Sequence, residues 1–462
     1  MKYISTRGEI NPVSFREAVM MGLARDGGLL IPEEIPDLTG CLAAWKKLSF
    51  VELAFEVMRL YSDLPEKDLK AIVQRSYSKF DVKEITPVVP VNGIYILELF
   101  HGPTLAFKDV ALQFLGNLFE YILKESKQEL NILGATSGDT GSAAIQGVRG
   151  RDSMRIFVMH PHNRVSKIQE KQMTSVLDGN VYNIAIEGTF DDCQNIMKTI
   201  FCDLEFKDKF SLGSINSINW ARVLAQIVYY FYAGFRVMEK TGAEKISFSV
   251  PTGNFGDIFA GYVACRMGLP VNKLVLATNE NDILSRFFNT GEYSIGKVVE
   301  TLSPSMDIQV ASNFERFLYY RLGENAVLLK EMMLSFSKSG KLNLQKDRDG
   351  FIDRTIIAGS SDTETTLSTI RNFHHEYSYI LDPHTAVGVH VAMRFKKEGE
   401  PMICLATAHP AKFSEAIKKA TGKDIVHHPS IDALEGMPTK CEPLPASVAA
   451  VRDYIETRID AN

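Results

Sequence analysis

The feature that most constrains the fold of this chain is an alternation of short apolar runs with longer, helix-like stretches. Short runs rich in β-branched residues predict buried strands, and most of them are followed here by a helical pattern. This alternation predicts βαβ units, a mostly parallel sheet, and ligand sites at the carboxyl ends of the strands. The strand-like runs are residues 94–99, 130–133, 156–159, 181–186, 246–250, 274–277 and 402–406. The sequence therefore predicts an α/β fold.

The pattern also divides the chain along its length. Residues 1–85 show amphipathic helices, such as Phe50–Tyr61, and predict a mainly helical N-terminal domain. Residues 86–428 contain the alternating pattern and predict the α/β core, with a helical, charged insertion near 281–346. Residues 429–462 are proline-rich and then helical, and we interpret them as a C-terminal tail and helix.

Composition and charge exclude several classes of protein. Hydrophobic residues make up 45% of the chain and charged residues 23%, which is typical of globular proteins. The net charge of −5, without a cluster of Lys and Arg, argues against nucleic acid or a membrane surface as the main partner. The N-terminus lacks the apolar segment of a secretory signal. We therefore expect a cytoplasmic protein.

Cysteine and histidine spacing does not indicate a metal site. The six cysteines are scattered without a CxxC pair, and we interpret them as buried free thiols. Two histidine pairs, 374–375 and 427–428, consist of adjacent residues, whose side chains point apart on a helix or a strand. Solvated or capping roles are the simpler interpretation, and we expect no bound metal.

A glycine-rich turn follows the strand-like run at 246–250. The segment 250–261, VPTGNFGDIFAG, predicts a strand, a turn and the start of a helix. Backbone N–H groups from Gly253 to Asp257 would be free there, and the helix dipole favours a phosphate. An ordinary strand-to-helix turn is the alternative. The turn lacks the lysine of a P-loop and the three-glycine dinucleotide pattern, so a small phosphate-bearing cofactor fits better than ATP or NAD.

A second turn of similar character is GATSGDTGSA at 134–143, which also follows a strand-like run. Its hydroxyl side chains and backbone N–H groups can surround a carboxylate. The alternative is a Ser or Thr helix cap with a tight turn. Two such turns in one α/β chain favour a ligand with two anionic groups.

Lys108 stands among apolar neighbours in the segment HGPTLAFKD. Partial burial beside Leu105, Ala106 and Phe107 would lower the pKa of its amine and make it a nucleophile. A solvated lysine, or one paired with Asp109, is equally compatible with the composition of the segment.

Six segments stand in a particular order: HGPTLAFKD, GATSGDTGSAA, SINSINWARVLAQ, SVPTGNFGD, SPSMDIQV and ATAHPAKF. In this order they resemble the threonine synthase family, and the resemblance extends from the opening STRGE to about Phe413. It covers nearly the whole chain.

The resemblance implies a fold type II, tryptophan synthase β-like enzyme with two α/β subdomains, mostly parallel sheets and a helical N-terminal domain. It implies pyridoxal 5′-phosphate as the cofactor. The implied carbon–oxygen lyase converts O-phospho-L-homoserine and water to L-threonine and phosphate, the last step of threonine biosynthesis. It also implies a small-molecule substrate, no nucleic-acid or membrane partner, and a monomer or homodimer.

The resemblance assigns cofactor residues by position. Lys108 matches the catalytic lysine that carries the cofactor as a Schiff base. The cofactor-phosphate loop is matched by Gly253, Asn254, Phe255, Gly256 and Asp257. Thr407 matches the hydroxyl residue that faces the pyridine nitrogen, where a neutral group does not enforce protonation of the ring.

Substrate residues are implied in two segments. The loop resembling the one that holds the substrate α-carboxylate contains Thr136, Ser137, Gly138, Asp139 and Thr140. The role of Asp139 stays open, because many relatives outside the family carry Asn there. Candidate ligands of the substrate phosphate are Asn216, Ser217, Asn219 and Arg222. A guanidinium suits a bidentate phosphate contact, whereas a helix-surface cation is the alternative for Arg222.

Three other functions stay open at this point. A phospholyase of the same fold would release 2-oxobutyrate, and a serine or threonine dehydratase would share most of these residues. A non-catalytic cofactor-binding protein would be expected to lack Lys108 or the glycine loop, and both are present.

Overall fold

The computed structural model describes residues 1–136 and 138–460. Its strands are β1 (Tyr3–Ser5), β2 (Leu30–Pro32), β3 (Val88–Val91), β4 (Ile94–Glu98), β5 (Leu130–Ala135), β6 (Met154–Pro161), β7 (Val181–Glu187), β8 (Leu212–Gly213), β9 (Ile246–Pro251), β10 (Val271–Thr278), β11 (Glu292–Ser294), β12 (Lys341–Asn343), β13 (Ile356–Ser360), β14 (Met402–Ala406) and β15 (Glu442–Pro445).

The helices outnumber the strands. They are α1 (Phe15–Met21), α2 (Leu42–Trp45), α3 (Phe50–Tyr61), α4 (Glu66–Tyr77), α5 (Lys108–Ser126), α6 (Asp139–Val148), α7 (Lys167–Thr174), α8 (Phe190–Cys202), α9 (Leu204–Lys209), α10 (Trp220–Thr241), α11 (Gly256–Arg266), α12 (Ile283–Thr290), α13 (Phe314–Arg321), α14 (Ala326–Ser339), α15 (Thr363–Tyr377), α16 (Pro383–Phe395), α17 (Ser414–Thr421), α18 (Pro429–Asp432) and α19 (Val448–Asp460). Short 3₁₀ helices lie at Pro304–Met306, Pro410–Phe413 and Ala433–Gly436.

The chain forms two compact units, each built from two separate stretches. The first unit comprises Met1–Ala111 and Ser217–Val426, and the second comprises Leu112–Asn216 and His427–Asn462. Residues 1–85 and the stretch 281–346 thus fall in the first unit, and the C-terminal segment falls in the second. The sequence-based boundaries at 85 and 428 stay a prediction.

A six-stranded sheet forms the centre of the first unit. The strand order is β13-β10-β9-β14-β4-β3, and every neighbouring pair is parallel except β3 with β4. Strands β9 and β14 are buried along their whole length. Such continuous burial is typical of parallel strands covered on both faces, and it explains why their sequences are apolar runs without alternation.

Three of the predicted motifs follow three neighbouring strands of this sheet. The HGPTLAFKD segment follows β4, the VPTGNFGD turn follows β9, and Thr407 follows β14, which lies between the other two. Because these strands are parallel, their carboxyl ends lie at the same edge of the sheet. The sheet therefore brings the three motifs to one edge.

The second unit has a five-stranded, fully parallel sheet in the order β15-β7-β6-β5-β8. Helices α8 and α19 contribute Ile196, Val451 and Ile455 to its apolar core. The rings of Phe157 and Tyr182 stack at 4.7 Å within that core. Strand β15 contains two prolines and lies at the sheet edge, the position where a missing N–H donor is tolerated.

Most predicted elements are confirmed. Each of the seven strand-like runs coincides with a strand, and Phe50–Tyr61 is a helix whose start is fixed by a capping box between Ser49 and Glu52. The cysteines are free as expected, but the predicted burial is wrong for Cys41 and Cys202, which lie on exposed surface positions. Over the described residues, the structure contains no helix with the length and apolar character needed to cross a membrane.

Candidate active site

Lys108 is positioned by a backbone bridge between two segments of the first unit. Phe107 N donates to Thr407 O at 2.8 Å, and His409 N donates to Leu105 O at 3.0 Å. Leu105 adopts a positive φ of 58°, which turns the chain into this bridge. Lys108 then begins α5 with its side chain buried, and its Nζ lies 4.8 Å from the centroid of the Phe107 ring.

The carboxyl of Asp109 organises the turn that precedes Lys108. Its two oxygens accept hydrogen bonds from the backbone N and from Oγ1 of Thr104, each at 2.8 Å. Lys412 Nζ donates to the carbonyl of the same Thr104 at 2.7 Å. Burial raises the pKa of Asp109 to about 6, although the bonds from Thr104 and the charge of Lys412 act in the opposite direction. Asp109 therefore fixes the HGPT turn to the start of α5, and Lys412 links the same turn to the segment after β14.

The turn between β9 and α11 presents a row of backbone donors. Among the described residues, no N–H from Gly253 to Asp257 has a hydrogen-bond acceptor. A Cβ atom built on Gly253 would lie 2.5 Å from Ser305 O, so only glycine fits against that carbonyl. Phe255 has a left-handed backbone, with φ 64°, and a side chain buried among the rings of Phe288 and Phe314. This aromatic contact fixes the curve of the turn.

Asp257 belongs to the turn through its backbone, but its side chain faces helix α10. Oδ1 accepts hydrogen bonds from the hydroxyls of Tyr229 at 2.6 Å and Tyr230 at 2.9 Å. Oδ2 is buried without a hydrogen-bond partner among the described residues. Burial raises the pKa of Asp257 to about 6, and the tyrosine hydrogen bonds and the charge of Lys108 oppose that rise. The carboxyl is thus in electrostatic range of the Lys108 amine.

Thr407 is held from both sides of its peptide unit. Its carbonyl accepts the bond from Phe107, and its backbone N donates to Thr385 Oγ1 at 3.2 Å. Asp382 in turn accepts hydrogen bonds from the backbone N and the side-chain hydroxyl of Thr385. The helix cap of α16 therefore fixes the position of Thr407, whose side chain is buried.

Arg222 is buried on the first turn of α10. Its Nε and Nη1 atoms have no hydrogen-bond partner among the described residues. Burial lowers the pKa of its guanidinium to about 10. Buried guanidinium groups are normally paired, so this arrangement indicates a site for an anion. The alternative of a helix-surface cation does not apply to Arg222, which is only 4% exposed.

The other candidates of the SINSINWAR segment differ in what their side chains contact. Ser217 Oγ lies 2.7 Å from Ser312 Oγ, which places two hydroxyls side by side. Asn219 caps α10, because its Oδ1 accepts from Ala221 N at 3.1 Å and its Nδ2 donates to Val19 O at 2.8 Å. The geometry favours a capping role for Asn219, and its role as a ligand stays a prediction. Asn216 falls in the second unit.

The loop at 136–140 belongs to the second unit and follows β5. Thr136 Oγ1 accepts from Gly138 N and from Gly141 N, both at 3.0 Å. Asp139 Oδ1 accepts from Gln169 Nε2 at 2.8 Å, and a Cβ on Gly138 would lie 2.5 Å from the Gln169 amide. Thr140 is partly exposed on the first turn of α6. Ser137 lies outside the described residues.

Sequence reasoning missed several residues of the site. Ser312 and Asn313 lie in the stretch 281–346, for which the sequence predicts only a charged, helical insertion, yet Ser312 contacts Ser217 and Asn313 contacts Asn254. Gln169 contacts Asp139 across thirty positions of sequence. None of these positions carries a local pattern, and only the folded structure brings them to the motifs.

The donor set fits a small aromatic aldehyde that carries a phosphate. The N–H groups from Gly253 to Asp257 suit the phosphate, and a buried amine lies beyond the neighbouring strand at Lys108. Thr407 supplies a hydroxyl at the same edge of the sheet. These residues are consistent with the cofactor that the sequence motifs imply.

Comparison with known proteins decides the family. A model of the threonine synthase N terminus matches residues 2–77, a model of pyridoxal-phosphate-dependent enzymes matches 80–334, and a model of the threonine synthase C-terminal region matches 385–455. The chain belongs to the threonine synthase family. It is a pyridoxal-phosphate-dependent enzyme of fold type II that acts on a small molecule.

Individual members of the threonine synthase family match over almost the whole length. Threonine synthase from Schizosaccharomyces pombe is 48% identical over 91% of this chain and 89% of its own. Threonine synthase from Pseudomonas aeruginosa is 46% identical, with 98% of each chain covered. The crystal structure of PLP-bound threonine synthase from Brucella melitensis matches with a TM-score of 0.95 and 44% identity, covering 99% of both chains.

Proposed function

We propose that this enzyme converts O-phospho-L-homoserine and water to L-threonine and inorganic phosphate. The observation that carries this proposal is the buried guanidinium of Arg222, whose Nε and Nη1 find no partner among the described residues. It supports a second anion site, distinct from the N–H groups of Gly253 to Asp257. A substrate that carries a phosphate of its own explains why the first unit has two anion sites.

Lys108 is the proposed catalytic residue. Its Nζ would attach the cofactor and, during turnover, remove and return protons along the substrate carbon chain. Pyridoxal phosphate, when bound, withdraws electrons from the substrate α-carbon and so makes the adjacent C–H bonds acidic. The position of Lys108 suits this work, because its side chain is buried at the edge of the sheet where the turn after β9 and Thr407 also lie.

The proposed reaction balances without a further reagent. Protons leave Cα and Cβ, the Cγ–O bond breaks with its electron pair on the departing phosphate, and one proton is returned to Cγ. Water then adds its hydroxyl to Cβ, its remaining proton balances the one taken up by the phosphate, and Cα is reprotonated. Arg222 stabilises the charge of the departing phosphate, and Ser217 with Ser312 supplies hydroxyl donors in the same segment. Phosphate must leave before water adds.

The remaining assignments follow the motifs. The cofactor phosphate would be held by the N–H groups of Gly253, Asn254, Phe255, Gly256 and Asp257, and Thr407 would face the pyridine nitrogen. The substrate α-carboxylate would be held by the loop of Thr136, Ser137, Gly138, Asp139 and Thr140, and the substrate phosphate also by Asn216 and Asn219. We further propose that the protein is cytoplasmic and acts as a monomer or homodimer.

Product analysis tests this function. The purified holoenzyme is incubated with O-phospho-L-homoserine, and threonine, 2-oxobutyrate and inorganic phosphate are quantified. We expect threonine and phosphate in equal amounts. Release of 2-oxobutyrate with phosphate would instead identify a phospholyase. In separate incubations, formation of 2-oxobutyrate from threonine, or of pyruvate from serine, would identify a dehydratase.

A further inference from the structure

Asn313 lies at the centre of a buried hydrogen-bond network that joins the two proposed anion sites of the first unit. The residue is fully buried, and it follows Ser312 immediately before helix α13. It belongs to none of the recognised motifs. Its contacts, however, lead to the turn after β9 on one side and to the segment before α10 on the other.

The amide nitrogen of Asn313 reaches both segments. Nδ2 donates to the carbonyl of Asn254 at 3.1 Å and to the carbonyl of Ser217 at 3.2 Å. The backbone N of Asn313 donates to the same Asn254 carbonyl at 3.0 Å. A Cβ atom built on Gly256 would lie 3.2 Å from Nδ2, which shows how closely the amide approaches the start of α11.

The chemistry of the partners allows only one orientation of this amide. Oδ1 of Asn313 accepts from Arg316 Nη1 at 2.5 Å, and a guanidinium can only donate. The two backbone carbonyls can only accept, so they require the NH₂ end. Arg316 is itself anchored, because Nη2 donates to Leu30 O at 2.8 Å and to Ile218 O at 2.5 Å.

We propose that Asn313 is a positioning residue that sets the spacing between the cofactor-phosphate turn and the substrate-phosphate segment. By holding the carbonyls of Asn254 and Ser217 on one NH₂ group, it directs the N–H groups of the turn and the side chains of Ser217 and Arg222 toward their respective anions. This inference rests on the proposed function for the identity of the second anion. It rests on the hydrogen bonds of Asn313 for the coupling itself.

The substitution N313D isolates the positioning role from a contribution to folding. The introduced carboxylate has the size of the amide and still accepts from Arg316, as a charged pair that favours the folded state. It cannot donate to the two carbonyls and repels them instead. We therefore expect the fold to persist while the NH₂ donor shared by the turn and the segment before α10 is lost. The backbone N–H of residue 313 still donates to Asn254 O.

Two measured constants report separately on anion binding by the cofactor-phosphate turn and by the substrate-phosphate segment. They are the rate of pyridoxal-phosphate loss from the diluted holoenzyme and the inhibition constant of inorganic phosphate against turnover. We expect each to rise about tenfold in N313D, since one hydrogen bond in each segment is lost and replaced by repulsion. The matched control is N183D, a buried asparagine of the second unit whose Nδ2 donates to Met173 O at 3.0 Å. N183D should lower Tm without changing either constant.

The outcomes are distinct. If N313D leaves both constants within about twofold of wild type, or if N183D raises them as much, the positioning role is wrong. A wild-type enzyme that phosphate does not inhibit, or that makes no threonine, would instead contradict the proposed function, and the cofactor-loss rate would still test the Asn254 contact. Should N313D fail to fold, N313S, which adds no charge, is measured by the same two constants and is expected to raise both.

Discussion

The backbone N–H of Phe107 donates to the carbonyl of Thr407 at 2.8 Å, and this bond brings together two motifs that are 300 residues apart in the chain. It places the residue before Lys108 beside the hydroxyl residue proposed to face the pyridine nitrogen. Because the link is made by backbone atoms, the side chains of Lys108 and Thr407 can be replaced without releasing the two segments from each other. Substitutions at these positions therefore report on chemistry rather than on folding.

Replacing Lys108 by Ala should abolish both turnover and covalent attachment of the cofactor. In the wild-type enzyme, treatment with borohydride should add the reduced cofactor's mass to the peptide that contains Lys108, as mass spectrometry would detect. The matched control is Lys124→Ala on the same helix, where the side chain is 68% exposed. The control should keep full activity. Turnover by the Lys108→Ala enzyme would show that Lys108 is not the catalytic residue.

Replacing Gly253 by Ala should weaken cofactor binding. The added Cβ would lie 2.5 Å from the carbonyl oxygen of Ser305, so the turn must shift and its N–H groups lose their alignment. We expect the dissociation constant of pyridoxal phosphate to rise by about tenfold or more, measured by absorbance titration. Gly179→Ala is the control, because no atom lies within 4 Å of its added Cβ. Equal cofactor affinity in the two variants would contradict the role of the turn.

Replacing Arg222 by Met should make the protein more stable and less active. A buried guanidinium whose Nε and Nη1 lack partners opposes folding, so its removal should raise the free energy of unfolding of the cofactor-free protein by about 1–2 kcal/mol. The KM for O-phosphohomoserine should rise far more than the dissociation constant of the cofactor.

Arg316→Met provides the comparison for Arg222→Met. Arg316 is equally buried but bonds to Leu30, Ile218 and Asn313, and its removal should lower stability by about 3 kcal/mol. Denaturant unfolding of the two variants measures whether the free energy of unfolding rises in Arg222→Met and falls in Arg316→Met. A loss of stability in Arg222→Met similar to that in Arg316→Met would mean that Arg222 is a structural residue.

The stability of Asp257→Asn relative to wild type should depend on pH. Burial raises the folded-state pKa of Asp257 to about 6, above the ordinary value, so its favourable contribution is present at low pH and is lost as the pH rises through 6. Asparagine still accepts from Tyr229 and Tyr230 but never ionises. The gain in stability of the variant over wild type should therefore grow between pH 4 and pH 7, to at most about 3 kcal/mol, since one pKa unit corresponds to about 1.4 kcal/mol.

Asp203→Asn should show the opposite dependence. The pKa of Asp203 is lowered by the hydrogen bond from Phe206 N, with a further contribution from Arg452, so its contribution is present at neutral pH and is lost in acid. Unfolding curves at several pH values compare the two variants. A pH-independent difference for Asp257→Asn would show that its carboxyl ionises normally in the folded protein.

The strands and the motif loops were predictable because their signals are local. An apolar run such as 402–406 predicts its own strand, and the glycines around Asn254 predict a turn from the conformations they allow. By contrast, β15 pairs with β7 across more than 250 residues, and its proline-rich sequence resembles a loop. Nothing local in the sequence indicates such a pairing.

The residues of the candidate site also divide into those with a local sequence signal and those placed only by tertiary structure. Lys108, Arg222 and the residues of the turn after β9 were predicted because they lie in motifs. Other bonds that hold the motifs in place come from Lys412, Asn313 and Gln169. Their partners, Thr104, Asn254 and Asp139, are distant in the sequence and are chosen by tertiary packing. The orientation of the Asn219 side chain, which caps α10 through Oδ1, also depends on tertiary structure, since its Nδ2 donates to Val19 O, two hundred positions away.

The two proposed anion sites differ in the kind of donor they use, and this difference bears on how such an enzyme diverges. The turn from Gly253 to Asp257 offers backbone N–H groups, which are unchanged by most substitutions of the residues that carry them. The site at Arg222 depends on side chains, and a single codon change removes the guanidinium, which is its one proposed cation. A substitution at Arg222 can therefore weaken the binding of a phosphorylated substrate while the backbone donors of the cofactor site stay in place.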